Sequence, residues 1–170
     1  ILDGFYNYHA QIKGFTPSRW GDKTPLNIYD LPRINRVFPK AQYIHIVRDG
    51  CDVVESYLRS GIYSDLMAAG ERWSTSVQAF AEFSAKHPAS CYTIRYEDLV
   101  NRPRETLTSL CRCLDVEFEP EMLNYMSQAR ELISDKELQW KENCFRPLLP
   151  GNIGKWRRDL SPRLARRVEW

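Results

Sequence analysis

Residues Tyr43–Gly61 read YIHIVRDGCDVVESYLRSG, an apolar run that passes straight into an arginine, an aspartate and a glycine. The run AQYIHIV is short and continuous, which predicts a strand buried on both faces rather than a solvated edge. Beyond it, Val53, Val54, Tyr57 and Leu58 share one helical face, and Gly61 supplies a stop. Arg48 is therefore expected at the carboxyl end of a strand. Ser56 is expected on the following helix, away from its apolar face. In open α/β sheets ligands sit outside the carboxyl ends of the strands. A helix beginning at Gly50–Cys51 would offer unpaired N–H groups to an anion. An arginine fork, a hydroxyl and helix N–H groups together suit a phosphate. The spacing fits a plainer reading equally well: Arg48 pairs with Asp49 or Asp52, and Ser56 is only surface.

Outward from this stretch, helix and strand alternate. IYDLPRINRVFP places Ile28, Leu31, Ile34 and Phe38 at helical spacing, ended by Pro39. Trp73, Val77, Phe80 and Phe83 recur through a longer helix. SCYTIRYEDL is a second strand, finishing in Tyr96, Glu97 and Asp98. RPRETLTSLCRCLDV is a helix with Pro103 near its first turn. PEMLNYMSQARELISDKELQW is amphipathic and helical, CFRPLLPGNIG is a loop, and SPRLARRVEW opens a last helix capped by Ser161. Strand–helix–strand units of this length predict α/β with a parallel sheet flanked by helices. A chain of 170 residues, 43% hydrophobic, is expected to form a single domain over 1–170.

The net charge of +2 is too small for bulk nucleic-acid binding. The basic tail KWRRDLSPRLARR reads as a solvated helix face without an aromatic stacking platform. No run of about 18 apolar residues is present to span a membrane, and the first residues lack the pattern of a signal peptide. Among the five cysteines, Cys111 and Cys113 form a C-x-C with neither a nearby His nor a second pair, which does not make a zinc site. Reduced thiols in the cytoplasm are the expectation, with no metal.

Two further segments carry chemistry. Tyr96, at the second strand end, can flank a base, or it is an ordinary half-buried tyrosine. PGNIGKWRRDLS sets Gly151 and Gly154 before Lys155, Trp156 and Arg157. Such a loop lets backbone approach a phosphate, or it is a surface turn pinned by a buried Trp156.

Taken in order, DKTP, VRDG, YEDL and IGKWR resemble the sulfotransferases that use 3′-phosphoadenosine 5′-phosphosulfate (PAPS), most closely their bacterial-type branch. The resemblance runs from about Lys23 to Leu160. It implies a P-loop-NTPase-like sulfotransferase fold, with PAPS as co-substrate and 3′-phosphoadenosine 5′-phosphate (PAP) as product. It also implies that Arg48 and Ser56 bind the 3′-phosphate, that Tyr96 lies near the adenine, and that Gly151–Trp156 is the family's glycine loop, with Lys155 or Arg157 adding charge. No Walker-type G-x-x-x-x-G-K-[ST] occurs, which argues against a P-loop kinase. The family's 5′-phosphosulfate loop has no counterpart in residues 1–20, so that half-site is expected upstream. Many members place a basic pair just before the glycine loop, where this chain reads Leu149–Pro150.

In-line sulfuryl transfer needs a base for the acceptor and a cation at the leaving oxygen. In WGDKTP, Asp22 resembles the acidic residue some members use as base, and Lys23 the lysine beside the sulfate. Asp22 could instead be a cap or pair with Lys23. His9 is a rival base, and His45 reads as a buried imidazole of the strand. The expected acceptor is a small or carrier-bound molecule bearing a hydroxyl or amine. The alternative is a non-catalytic PAP-binding module.

Overall fold

The computed structural model describes residues 2–14, 16–126, 147–148 and 150–164. Helix α1 (Leu2–Ile12) leads through a 3-10 turn (Pro25–Tyr29) to α2 (Leu31–Val37) and strand β1 (Tyr43–Val47). Helices α3 (Gly50–Arg59) and α4 (Leu66–Lys86) then cross over to β2 (Cys91–Arg95), which pairs parallel with β1 in the register Tyr43 to Cys91 and Val47 to Arg95. Helices α5 (Tyr96–Asn101) and α6 (Pro103–Cys113) follow, then 3-10 turns at Pro120–Leu123 and Pro150–Asn152, and α7 (Trp156–Asp159).

The helix expected through Ile28–Phe38 is two elements. Pro32 lacks an N–H and fits only the first turn of a helix, so a new helix opens at Leu31. Ile28, Leu31 and Ile34 still share a cluster with Tyr43, Phe80 and Phe83, which joins α2, β1 and α4. Burying a phenylalanine such as Phe80, 4% exposed, contributes about 1.5–3 kcal/mol. A second cluster, Val54, Leu66 and Ala69 with Tyr57 and Leu58 around it, fastens α3 to α4. Helix α3 ends as expected, with Gly61 at φ +71°.

Strand β1 is not buried on both faces. Tyr43 and His45 lie under α4, but Ile44 and Ile46 are 46% and 55% exposed. On their face, Ile94 of the neighbouring strand is buried, and among the described residues no element covers the two isoleucines. The second strand also stops earlier than expected: Tyr96, Glu97 and Asp98 form the first turn of α5. Residues 127–140 of the expected amphipathic helix lie outside the described residues, as do 144–146 and 149 of the expected loop and 165–170 of the expected last helix; the Ser161 Oγ of that helix accepts a hydrogen bond from Leu164 N.

Candidate functional site

The turn from β1 to α3 is held from three sides. Asp49 is the N-cap of α3, and its Oδ1 accepts from the N–H groups of Cys51 and Asp52 at 2.9 and 3.2 Å. These helix N–H groups are thus occupied by the chain's own carboxylate, contrary to the expectation that they stand unpaired. An Asp at this position outcompetes water for them. The Asp49 N–H in turn donates to Glu97 Oε1 at 2.8 Å, tying the tip of β1 to the start of α5. From α4, Trp73 lays its indole against Gly50, where an added Cβ would sit 3.0 Å from Cε3 and Cζ3. Its Nε1–H donates to the Arg48 carbonyl at 3.1 Å.

Arg48 leaves this turn and meets the other two predicted segments. Its guanidinium lies 4.7 Å above the Tyr96 ring centroid. Nη2 donates to the Asn152 carbonyl at 2.6 Å and stands 3.6 Å from Asp52 Oδ2. Nε is buried without a hydrogen-bond partner among the described residues. Asp52 itself is 0% exposed. Its two oxygens accept from the backbone N–H groups of Gly154 (2.8 Å) and Trp156 (3.0 Å). The plainer reading of Arg48 is therefore present in part, with Asp52 as its partner. Ser56 lies one turn beyond Asp52 on the same face of α3 and is half-buried.

In the glycine loop, Gly154 has φ +67°, a conformation that favours glycine. Gly151 is exposed, and a Cβ there would meet nothing. Trp156 is buried, its Nε1 lacks a partner among the described residues, and Arg157 stacks over its ring at 4.4 Å. The Lys155 ammonium pairs with Asp159 at 3.1 Å. Of Leu149–Pro150, the place of the family's basic pair, Leu149 lies outside the described residues, as does the nearby Arg146.

Asp22 and Lys23 belong to a different neighbourhood. The exposed Asp22 carboxylate accepts from Asn27 Nδ2 (2.6 Å), Thr24 Oγ1 (3.3 Å) and the Tyr6 hydroxyl (3.4 Å). Tyr6 stacks on Trp20 at 4.3 Å, and partial burial together with the Asp22 charge raises its pKa. None of these contacts involves the Arg48 cluster. His9 is exposed and stacks beside Phe5, whereas His45 is half-buried against Phe80 at 4.3 Å, and burial lowers its pKa.

The structure thus gathers Arg48, Tyr96 and the glycine loop at the carboxyl end of the sheet, with Ser56 on the adjoining helix face. It also adds Asp52, Trp73 and Glu97, which the sequence reading did not place in the site. Their signals were present but ambiguous. Asp52 stands four residues after Arg48, Trp73 lies within the apolar period of α4, and Glu97 follows Tyr96. Among the described residues no helix is long and apolar enough to cross a membrane, and no group of three or more His, Cys, Asp or Glu could hold a metal ion.

Comparison with known proteins gives consistent findings. A family model described as Sulfotransferase family matches residues 3–120. The sulfotransferase domain from the Synechococcus PCC 7002 olefin synthase superposes with a TM-score of 0.67 at 26% identity, covering 84% of this chain and 54% of that one. The sulfotransferase domain from the curacin biosynthetic pathway superposes with a TM-score of 0.64 at 24% identity, a likeness of fold, over 88% and 62% of the two chains. Protein-tyrosine sulfotransferase 1 of Danio rerio is 22% identical over 147 residues, 79% of this chain and 41% of that protein. The chain spans about half the length of the first curated relatives it matches, 45% and 52%.

Proposed function

This chain belongs to the sulfotransferase family, and we propose that it moves a sulfuryl group from PAPS to an acceptor hydroxyl or amine by in-line displacement. The observation that carries this reading is Arg48: a guanidinium at a strand tip, stacked on Tyr96, with a buried Nε that nothing described satisfies. A buried donor without a partner is rare and calls for a ligand atom. The buried Nε1 of Trp156, likewise without a partner among the described residues, supports the same assignment.

PAPS supplies the activated sulfuryl group. In this reading Arg48 and Ser56 hold its 3′-phosphate, a charge-assisted arrangement in which the planar fork of arginine outperforms a point charge. Tyr96 flanks the adenine, and the loop from Gly151 through Gly154 to Trp156 closes over the nucleotide, with Lys155 and Arg157 adding positive charge. Lys23 stabilises charge on the leaving oxygen and Asp22 accepts the acceptor's proton, a division of labour suited to chemistry that depends on positioning and charge. Relatives named for protein tyrosine bring a tyrosine hydroxyl into the acceptor class, beside small and carrier-bound alcohols.

The test is transfer of labelled sulfate from PAPS to a panel of tyrosine-containing peptides, small alcohols, amines and carrier-bound hydroxyls. The proposal expects transfer to at least one class. PAP binding without transfer to any would support a non-catalytic nucleotide-binding module instead.

A further inference from the structure

Asp52 is the most deeply buried charged side chain described, at 0% exposure, and neither the phosphate contacts nor the transfer chemistry assigned above use it. A carboxylate at that depth is costly unless hydrogen-bonded. Its partners are backbone donors from the far end of the chain: Gly154 N, 102 residues away, and Trp156 N, 104 residues away. Both oxygens are engaged, so the glycine loop is held at two points two residues apart, which fixes its orientation as well as its position. The same loop then presents the Asn152 carbonyl to Arg48 Nη2 at 2.6 Å, while Asp52 Oδ2 stands 3.6 Å from that nitrogen. With one side of the Arg48 fork so engaged, the plane of the guanidinium is constrained, and among the described residues Nε is left over.

We propose that Asp52 is a positioning residue that locks the glycine loop to α3 and thereby orients Arg48 toward the nucleotide's 3′-phosphate. This inference rests on the nucleotide site proposed above. Asp52 acts through the loop and Arg48 and does not touch the ligand. Asp52→Asn is nearly isosteric but turns one acceptor into a donor, which faces the N–H of Gly154 or Trp156 and breaks that contact.

Two measurements on the full chain separate the possible outcomes. Hydrogen exchange of the Gly154 and Trp156 amides tests the clamp without any ligand. Both are expected to be protected, and Asp52→Asn should release at least one of them while α4 stays protected. Equal exchange in the two proteins would overturn the clamp. Titration with PAP and with 5′-AMP, which lacks the 3′-phosphate, tests the orientation of Arg48. Asp52→Asn should weaken PAP about tenfold or more and 5′-AMP by a clearly smaller factor, since only the part of the loss that passes through Arg48 needs the 3′-phosphate. In an Arg48→Ala background the same change should cost PAP no more than it costs 5′-AMP. Equal losses for PAP and 5′-AMP, or undiminished loss without Arg48, would reduce Asp52 to a purely structural role and overturn the proposal. Should Asp52→Asn fail to fold, Asp52→Glu keeps the charge, displaces the loop by one methylene, and carries the same expectation. Failure of the wild-type chain to bind PAP at all would strike the nucleotide reading instead, leaving the exchange result to stand alone.

Discussion

Replacing Gly50 by alanine should destabilise the protein through a single identifiable contact. The added methyl would stand 3.0 Å from Cε3 and Cζ3 of Trp73 and 3.1 Å from Cδ2. The indole cannot simply swing away, because its Nε1–H is bonded to the Arg48 carbonyl at 3.1 Å. Overpacking of this kind costs about 1–3 kcal/mol. Removing a glycine from a helix returns roughly 0.5–1 kcal/mol in an interior position, and less in the first turn. The net expectation is a loss of about 1–2 kcal/mol, or roughly 2–8 °C in Tm for a chain of this size. Urea denaturation followed by circular dichroism reads this directly. In a Trp73→Ala background the clash is gone, so Gly50→Ala should become neutral or stabilising, a change of sign that a double-mutant cycle isolates. Wild-type stability for Gly50→Ala with Trp73 present would refute the reasoning. Because the displaced indole also holds the Arg48 backbone, PAP affinity should fall in Gly50→Ala and not in a surface control such as Lys86→Ala.

Other expectations concern charge. Arg48→Ala should weaken PAP ten- to a hundredfold, the equivalent of about 1.5–3 kcal/mol for a charged hydrogen bond, and calorimetry that finds unchanged affinity in a folded variant would remove Arg48 from the site. Asp22→Asn should lower kcat about a hundredfold or more with PAP affinity intact if Asp22 is the base; surviving turnover in a steady-state assay would place the base elsewhere. Burial lowers the pKa of His45, so below the ordinary imidazole value of about 6.5 the unfolded chain binds a proton that the folded chain resists. Its contribution is full above that value and declines as pH falls through it, by no more than about 1.4 kcal/mol per pH unit. Denaturation series across pH 5–8 should show this decline, and His45→Phe should flatten it.

The strand-to-helix unit was legible because its signals are local. A continuous apolar run, a glycine after the strand and a second glycine at a left-handed stop together specify β1 and α3. Burial was harder to read, since Ile44 and Ile46 look identical to core residues until one knows what packs on them. Trp73 shows the limit of periodicity: it falls in step with Phe80 and Phe83, yet it packs on Gly50 rather than in their cluster. Tyr96 reads as a strand end because the residues before it are strand-like, whereas carboxylates such as Glu97 and Asp98 favour the first turn of a helix. Arg48 could be singled out by position alone. The role of Asp52 could not, because it is created by N–H groups more than a hundred residues downstream that carry no side-chain signature. Four short motifs in a family's order brought the segments together before any geometry did.

The most direct test of the nucleotide site is a calorimetric titration of the wild-type chain with PAP beside 5′-AMP. The two ligands differ only in the 3′-phosphate that Arg48 and Ser56 are proposed to hold. The account predicts PAP binding at least tenfold tighter, with the advantage abolished in Arg48→Ala. Equal affinities for the two nucleotides in the wild-type chain would contradict it.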